Sequence, residues 1–294
     1  MSLKIKLQRT VGRISPIFIT HLLYFKAFHK VLNLKKPHNL NEKIQWLKFY
    51  GDTTLWPILA DKYKVREYVE NKGYKDILVK LYGAWKDVES IDLSMLPNQF
   101  VLKLNNGCGD IFICNNKSEI DKEAIAKHFS KFQTKFFGFE TGVLHYRDIE
   151  PCIIAEELLD CSKQSIKTTS LVDYKFWCIN GVPLYCLVVA NRNNDKADLD
   201  LYDMKWERHQ EYLVQTEEFN LIEQEFPKPI NLSRMIEISK VLSQGHPQMR
   251  VDLYEVGGSI YFGELTMTSA CGLMTYFSEG FLNILGEKMI LPIS

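Results

Sequence analysis

Two stretches near the carboxyl-terminal end of the chain alternate apolar and polar residues with a period of two. Val251 and Leu253 alternate with polar positions before a turn at residues 255–259, and Ile260 and Phe262 do the same after it. This alternation is typical of β-strands, and the paired glycines of the turn supply the positive φ angles that a tight hairpin needs. The pattern therefore predicts two antiparallel strands joined by a hairpin.

Elsewhere the apolar positions divide the chain into helical and extended segments. Apolar residues recur at helical spacing at residues 15–36, 39–48, 60–72, 118–137, 229–243 and 273–291. Extended runs lie at residues 77–82, 99–104, 111–114, 151–160 and 171–190, the last with a turn at Asn180 and Gly181. Residues 195–224 are polar and poorly periodic, so we expect loops and short elements there. Together these segments predict an α+β fold.

The charge balance argues against nucleic acid as a partner. The chain of 294 residues carries 36 Lys and Arg against 36 Asp and Glu, so its formal net charge is zero. Binding to nucleic acid through counterion release needs an excess of positive charge. We therefore expect no nucleic-acid partner.

The seven cysteines are scattered along the chain, and no two of them form a C-x-x-C pair. Zinc sites and disulfide frameworks have closer or regular spacings. The pattern instead predicts reduced thiols in a cytoplasmic protein.

The amino-terminal segment is basic, with Lys4, Lys6, Arg9 and Arg13 in its first residues. No uncharged run approaches the length of a membrane span. Two interpretations of the segment stay open: an amphipathic helix that makes a peripheral membrane contact, and a helix packed on its own domain. The general burial of apolar helix faces favours the second.

Asp252 and Glu264 face each other on the paired strands of the predicted hairpin. Two neighbouring carboxylates repel each other unless a pKa shifts or a cation lies between them. Oxygen ligands suit Mg²⁺ whose shell is completed by water and nucleotide phosphates. The hairpin alone is equally compatible with two carboxylates on a solvated sheet face.

A second candidate site lies where an apolar strand runs into a glycine loop. Lys103 lies at the end of the strand predicted at residues 99–104, and Gly107 and Gly109 follow it. Backbone N–H groups of such a loop can approach a phosphate closely, and the lysine supplies a point charge. The order does not match a Walker loop, in which the lysine follows the glycines. By itself the segment is also compatible with a simple hairpin turn.

Taken in order, these motifs resemble the ATP-grasp superfamily, most closely its TupA-like branch, which is associated with bacterial surface polysaccharide and teichuronopeptide synthesis. The motifs are NEKIQW at 41–46, ADKY at 60–63, FVLK at 100–103, NNGCG at 105–109, EELL at 156–159, DYKF at 173–176, RVDLY at 250–254 and GELT at 263–266. The resemblance implies an α+β ATP-grasp fold in which two subdomains sandwich ATP. It divides the chain into a helical region at 1–75, a subdomain with a glycine-rich lid at 76–150 and a subdomain with the metal-binding hairpin at 151–294.

The resemblance also implies a role for each candidate residue. ATP would be bound by Lys62, Lys103, Asn105, Gly107, Gly109, Glu156, Glu157, Leu159 and Asp173. The two lysines look like phosphate ligands, the residues at 105–109 like the lid, those at 156–159 like the adenine hinge, and Asp173 like the ribose acid. The Mg²⁺ ligands would be Asp252, Glu264 and Thr266. The catalytic cations would be Lys175, Arg192 and Arg250, the first two facing the γ-phosphate and the acyl phosphate.

Three features depart from the family pattern. Thr266 stands where many ATP-grasp enzymes have Asn, so its part in metal binding stays open. Asn106 and Cys108 stand where related sequences often have His and Ser, which leaves their roles open too. The residues before Lys62 are helix-prone, so we expect no full amino-terminal α/β substrate domain.

The resemblance implies an ATP-dependent carboxylate-amine ligase that forms an amide through an acyl phosphate. The carboxylate substrate would be a uronic acid, or a derivative of one, from a bacterial surface polysaccharide or its precursor. The amine substrate would be an amino acid or a small amine, and the enzyme would act in the cytoplasm, at the inner membrane face if the basic segment contacts lipid. Two alternatives are a glycosyltransferase of polysaccharide synthesis and a non-catalytic ATP-binding protein of the same pathway.

Overall fold

The computed structural model describes residues 3–107, 111–130, 138–193 and 196–292, which form two β-sheets with helices packed around them. The helices are α1 (Leu3–Ile14), α2 (Pro16–Phe28), α3 (Leu40–Tyr50), α4 (Trp56–Ala60), α5 (Val65–Asn71), α6 (Lys122–Phe129), α7 (Leu232–Ser243) and α8 (Glu279–Lys288). The strands are β1 (Leu81–Trp85), β2 (Phe100–Leu104), β3 (Ile111–Cys114), β4 (Ile153–Glu156), β5 (Asp173–Ile179), β6 (Val182–Ala190), β7 (Ala197–Asp203), β8 (Phe219–Leu221), β9 (Gln248–Val256) and β10 (Ser259–Thr266). The predicted α+β class is confirmed.

The first sheet has four antiparallel strands in the order β1-β4-β2-β3. Phe100 and Leu102 of β2 form a buried cluster with Ile125 and Phe129 of α6. Since successive residues of a strand point to opposite faces, Lys103 lies on the other face of β2. The helix thus covers one side of this sheet and leaves the side of Lys103 to the candidate site.

The second sheet has six strands in the order β10-β9-β5-β6-β7-β8. Its pairs are antiparallel except for β7 with β8, which are parallel. Every residue of β5 is buried. Met235 and Ile238 of α7 and Leu40 and Ile44 of α3 belong to the same apolar cluster as this sheet. The large core therefore surrounds β5, which lies beside the predicted hairpin.

Residues with positive φ close both hairpins of the six-stranded sheet. Gly257 and Gly258 have φ angles of 58° and 75° between β9 and β10. Asn180 and Gly181 have φ angles of 51° and 75° between β5 and β6. These left-handed conformations are the ones that two-residue hairpin turns require. Both predicted hairpins are present.

Two predicted segments differ in part from the structure. The helix predicted at residues 60–72 is interrupted, because α4 ends at Ala60 and α5 begins at Val65, so Lys62 lies in the turn between them. The segment at 195–224 contains loops and short elements, as predicted, but one of these elements is β7, a strand of the six-stranded sheet that the pattern did not identify. Asp200 in that strand is fully buried and is paired with Arg208 at 2.9 Å. Ala197, Leu199 and Leu201 alternate with polar residues in this strand, and Asp200 on its polar face is buried against Arg208 instead of facing solvent.

Other predicted segments are present with shorter or shifted bounds. Those at 15–36, 229–243 and 273–291 contain α2, α7 and α8, and those at 77–82 and 151–160 overlap β1 and β4. The helix predicted at 118–137 covers α6, and residues 131–137 lie outside the described residues.

The point at which the chain passes from the first sheet to the second lies after the subdomain boundary predicted at residue 150. β4 follows that boundary, but it pairs with β1 and β2 of the four-stranded sheet. The change from one sheet to the other therefore falls after Glu156. The functional division into three regions stays a prediction.

Within the described ranges, none of the helices combines the length and the apolar character that a membrane crossing would require. The cysteines of these ranges are not joined in disulfides: Cys114, Cys152, Cys161, Cys178, Cys186 and Cys271. Cys108 lies outside the described residues.

Candidate active site

The β9-β10 hairpin places two carboxylates opposite each other. Glu264 is the register partner of Asp252, as predicted. The register shifts between Phe262 and Glu264, at Gly263. A Cβ atom on Gly263 would lie only 3.0 Å from the carbonyl oxygen of Asp252. The glycine therefore permits the close approach of the strands beside the carboxylate pair.

Arg250 connects the two carboxylates. Its Nε and Nη2 atoms donate to Oδ1 and Oδ2 of Asp252, each at 2.7 Å. The same Nη2 atom lies 2.8 Å from Oε1 of Glu264, which also accepts a hydrogen bond from the hydroxyl of Thr266 at 3.1 Å. A two-point contact between guanidinium and carboxylate fixes the orientation of both groups. One cationic side chain thus touches both acids of the pair.

Lys175 on β5 brings a second cation to Asp252. It is the register partner of Asp252, and its Nζ atom donates to Oδ2 of that residue. The same Nζ atom lies 3.2 Å from Oδ1 of Asp173, whose other oxygen is 3.2 Å from Nη2 of the half-exposed Arg192. We call Asp173, Lys175, Arg192, Arg250, Asp252 and Glu264 the charge cluster. Within it, cations and carboxylates alternate along the chain of contacts that leads from the half-exposed Arg192 to the β9-β10 hairpin.

Burial and ion pairing have opposite effects on the pKa values of the buried members. Burial raises the pKa of Asp252, but Arg250 and Lys175 outweigh it and hold the pKa below its ordinary value. Burial lowers the pKa of Lys175, and Asp173 and Asp252 outweigh it and raise the pKa. The pKa of Arg250 is also raised, because Asp252 overcomes the effect of burial. These groups are therefore charged at neutral pH.

Lys62 lies in the turn after α4 and reaches both sheets. Its Nζ atom donates to the carbonyl oxygen of Gly107 at 2.5 Å and lies 3.9 Å from Oε2 of Glu264. Its backbone N–H donates to the carbonyl oxygen of Asn105 at 2.9 Å. The structure therefore brings Lys62 next to the glycine loop and the carboxylate pair.

Lys103 and Glu156 pair with each other on neighbouring strands. Nζ of Lys103 lies 2.6 Å from Oε2 of Glu156, and Arg66 of α5 reaches the other oxygen at 2.9 Å. Arg66 also donates to the carbonyl oxygen of Val79 at 2.7 Å. Glu156 is thus held by two cations, one of which the motifs did not reveal.

Asn105 has a positioning role in the glycine loop. Its side chain accepts a hydrogen bond from the N–H of Cys152 at 2.7 Å and donates to the carbonyl oxygen of Glu150 at 3.0 Å. These bonds hold the start of the loop against the start of β4. Gly107 follows within the described residues, whereas Cys108 and Gly109 lie outside them.

The predicted adenine hinge lies beside a cavity of about 240 Å³. Glu157 is exposed, and its N–H donates to the carbonyl oxygen of Lys80 at 2.9 Å. Leu159 is buried in a small apolar cluster with Val79 and Val256. The cavity is bounded by residues 157–160 and by the turn end of the β9-β10 hairpin. The hinge segment thus lies at one end of the hairpin that carries the carboxylates.

A family model decides the assignment. The model described as TupA-like ATP-grasp matches residues 42–290. This chain belongs to the TupA-like ATP-grasp family. The predicted membership and the ATP-grasp fold are therefore confirmed.

Solved structures of ATP-grasp ligases are distantly similar to this TupA-like chain. D-cycloserine synthetase DcsG is 12% identical, with 80% of this chain and 70% of that one covered and a TM-score of 0.44. D-alanine-D-alanine ligase from Helicobacter pylori is 11% identical, with 86% and 71% covered and a TM-score of 0.44. The ATP complex of the Bacillus anthracis enzyme is 13% identical, with 84% and 62% covered and a TM-score of 0.39. No curated protein matches the sequence. These scores are low, so the family match alone carries the assignment.

The carboxylate pair of this TupA-like protein fits a divalent cation. Asp252 and Glu264 offer oxygen ligands only, which are the ligands that Mg²⁺ prefers. Nη2 of Arg250 already touches both acids, so a single positive group reaches both in this geometry. Glu264 is 38% exposed at its side chain, which leaves its end of the pair accessible. The hydroxyl of Thr266 donates to Glu264 and so supports its orientation.

Two residues of the TupA-like site were missed by the sequence argument. Arg66 lies within a segment that the pattern explained as an ordinary amphipathic helix. Ser269 accepts a hydrogen bond from Nη1 of Arg250 at 3.1 Å. It precedes Ala270 and Cys271, which have left-handed φ angles of 45° and 59°. Backbone strain at two successive non-glycine residues has no signal in a single sequence.

Proposed function

We propose that this protein is an ATP-dependent carboxylate-amine ligase that releases ADP. Membership of the ATP-grasp family supports the reaction class. The observation that carries the proposal is the contact of Arg250 with both paired carboxylates, with Lys175 bound to one of them. Acids for a metal and cations for a transferring phosphoryl group are thus held together in one place.

Two groups of residues are assigned to MgATP in this proposal. Lys62 and Lys103 bind the phosphates, together with the loop that contains Asn105 and Gly107. Asp252 and Glu264 hold Mg²⁺, supported by Thr266. Mg²⁺ at this position would neutralise phosphate charge and polarise the γ-phosphoryl group.

One further residue and the hinge complete the nucleotide assignment. Asp173 binds the ribose hydroxyls, and the segment from Glu156 through Glu157 to Leu159 meets the adenine. The cavity beside that segment and the position of Asp173 at the start of β5 support these roles.

The chain's cations change partners when the substrates arrive. In this structure Lys175 and Arg250 neutralise Asp252, and Arg192 neutralises Asp173. Phosphate oxygens compete for the same N–H donors, which are held in a largely buried site where charge interactions are strong. Lys175, Arg192 and Arg250 therefore stabilise the charge on the γ-phosphate and on the acyl phosphate.

The reaction proceeds in two displacements. A carboxylate oxygen of the first substrate attacks the γ-phosphorus of ATP, and ADP leaves. The neutral amine then attacks the carbonyl carbon of the acyl phosphate, inorganic phosphate leaves with the substrate oxygen, and the nitrogen loses one proton to the solvent. The protein supplies placement and charge neutralisation, so no covalent nucleophile of the chain is needed.

The proposed acid is a uronic acid or a derivative from a bacterial surface polysaccharide or its precursor. The proposed amine is an amino acid or a small amine. Both proposals rest on the TupA-like resemblance, which is an analogy with the family and not a property of the site. The free thiols of the described residues support action in the reducing cytoplasm, where ATP is available.

ADP release from MgATP tests the proposal over a matrix of acids and amines. The acids are free and nucleotide-linked uronic acids, and the amines are amino acids and small amines. We expect turnover only where an acid and an amine are both present, with one amide formed for each ADP. Sugar transfer without ATP would instead indicate a glycosyltransferase, and ATP binding without turnover would indicate a non-catalytic protein.

A further inference from the structure

An exposed apolar face runs along α2. Phe18, Leu22 and Phe25 are 54%, 48% and 54% exposed. Their spacing of four and three residues places them on one side of the helix. Ile14, at the end of α1, is 82% exposed. Single exposed apolar residues are common, but a row of large ones on one helix indicates an interaction surface.

The opposite side of α1 and α2 is fixed to the rest of the chain. Ile19 is buried, and a Cβ atom on Gly12 would lie only 1.8 Å from the carbonyl oxygen of Phe139. Arg9 pairs with Glu140 at 3.3 Å. Since these contacts hold the helices in place, their exposed side is a fixed feature of the folded protein.

Charges are strongly segregated in this part of the chain. All charged residues at positions 1–41 are basic: Lys4, Lys6, Arg9, Arg13, Lys26, Lys30, Lys35 and Lys36. The first acidic residue is Glu42. Because the whole chain is neutral, the remainder carries a net negative charge. The segment that exposes the apolar face is therefore also a positively charged stretch of the chain.

Two of these lysines lie together at the border of the apolar face. Lys4 lowers the pKa of the fully exposed Lys26, by hydrogen bonding and by like-charge repulsion. Lys26 follows Phe25 directly, so the contact lies next to the exposed ring. An anion at this place would relieve the repulsion between the two ammonium groups.

We propose that the exposed side of α1 and α2 docks on an anionic lipid surface. Phe18, Leu22 and Phe25 enter the boundary between head groups and acyl chains, as the apolar face of an interfacial helix does. The lysines at the border contact lipid phosphates. A second copy of the chain is a poor occupant, because it would bring two positive surfaces together.

Flotation of the full-length protein with lipid vesicles measures this contact. Vesicles of phosphatidylcholine alone are compared with vesicles that also contain phosphatidylglycerol. We expect binding to the anionic vesicles, weakened by added salt, and much less binding to the neutral ones. Failure to bind anionic vesicles, or equal binding to both kinds, would overturn the proposal.

A double substitution separates the charge contribution. Lys4→Gln with Lys26→Gln should weaken partition into anionic vesicles, by roughly fivefold for each lysine removed. The matched control is Lys86→Gln with Lys228→Gln, which removes the same charge from exposed sites elsewhere. The proposal requires the control to bind as the native protein does. Equal losses in the two variants would indicate a general charge effect.

The apolar contribution needs its own pair of variants. Phe18→Ser with Leu22→Ser should abolish most vesicle binding, and Met95→Ser with Ile230→Ser, at exposed sites elsewhere, should leave it unchanged. Circular dichroism and thermal melting confirm that each variant is folded. Light scattering gives the mass in solution. If the native protein does not bind vesicles, and its mass in solution exceeds that of the Phe18 and Leu22 variant only, the occupant of the face is a second copy of the chain. That result would overturn the proposal.

Discussion

Glu264 is the acid of the charge cluster that can be changed with little effect on the fold, because its side chain is partly exposed. Glu264→Gln keeps the size of the side chain and removes its charge. We expect ADP release to fall by about 10²- to 10³-fold, the usual cost of removing one charge-stabilising group. The melting temperature should change little, since partly exposed ion pairs contribute at most about 1 kcal/mol.

Glu217→Gln is the matched control for that substitution, because it removes the same charge at an exposed position away from the site. Its ADP release should equal that of the native protein. Unchanged turnover in Glu264→Gln would contradict the metal assignment.

The low pKa of Asp252 leads to a prediction about the stability of the protein at acid pH. Its pKa in the folded protein lies below the ordinary value of 3.8. Such a group contributes stability that is present above the unfolded value and is lost as the pH falls through the folded value. The free energy of unfolding of the native protein should therefore fall more steeply below pH 3.8 than that of Asp252→Asn.

Urea unfolding across a pH series measures this difference. At neutral pH the variant should be less stable by about 3–5 kcal/mol, because the buried Lys175 and Arg250 each lose one of their two acidic partners. The gap should narrow as the pH falls. A constant gap at every pH would show that Asp252 is not held ionised by Arg250 and Lys175.

At the scale of elements, the β9-β10 hairpin aligns the carboxylate pair, and Gly263 sets the approach of its strands. In Gly263→Ala the new Cβ would press on the Asp252 carbonyl oxygen and on Cε2 of Tyr254, at 3.0 and 3.1 Å. A displacement of a few tenths of an ångström should lower ADP release by roughly tenfold, because catalysis is sensitive to placement. The free energy of unfolding should fall by a smaller proportion than the rate of ADP release does.

Gly280→Ala is the control for the hairpin substitution. Gly280 lies in α8, and a Cβ atom there has open space around it. The change should preserve activity and raise the stability by about 0.5–1 kcal/mol. Native activity in Gly263→Ala would show that the strand approach does not determine the reaction.

Elements with a local signal could be predicted from the sequence, and elements that depend on distant partners could not. The hairpins combine alternating residues with Asn-Gly or Gly-Gly turns, so they were visible. β7 was missed, although Ala197, Leu199 and Leu201 alternate with polar residues, because the segment around it is polar and poorly periodic. The burial of its Asp200 depends on Arg208 and on the hydroxyl of Tyr202, which donates at 2.7 Å. The sequence of β7 by itself does not predict these contacts of Asp200.

The same distinction holds inside the site. The hairpin was predicted, but the pairing of Asp252 with Glu264 depends on the register shift at Gly263, and Lys175 was predicted only from the family motif at 173–176. The pairing of Lys103 with Glu156 depends on the packing of β2 against β4, and the approach of Arg66 depends on α5. Those contacts could be identified only in the folded structure.

At the scale of the whole molecule, Lys62 links the two sheets. It bonds to Gly107 in the loop after β2 and approaches Glu264 of β10. A nucleotide bound between the sheets should raise the free energy of unfolding by about 2.7 kcal/mol at a hundredfold excess over its Kd. We expect MgATP to raise the melting temperature of the native protein, and Lys62→Met to lose most of that rise.

Lys64→Met provides the comparison for thermal melting with and without MgATP. Lys64 is exposed and lies two residues from Lys62, so its substitution removes the same charge from the same turn. Its melting temperature should rise with MgATP as in the native protein. If MgATP raises the melting temperature of Lys62→Met as much as that of the native protein, Lys62 does not bind the nucleotide.

The transfer of a substrate oxygen tests the ligase mechanism most directly. With an active pair of substrates, the acid is labelled with ¹⁸O in its carboxylate, and the phosphate released with ADP is analysed by mass spectrometry. Formation of an acyl phosphate requires one labelled oxygen to leave with each phosphate. We predict that single label in the phosphate, and released phosphate without the label would contradict the account.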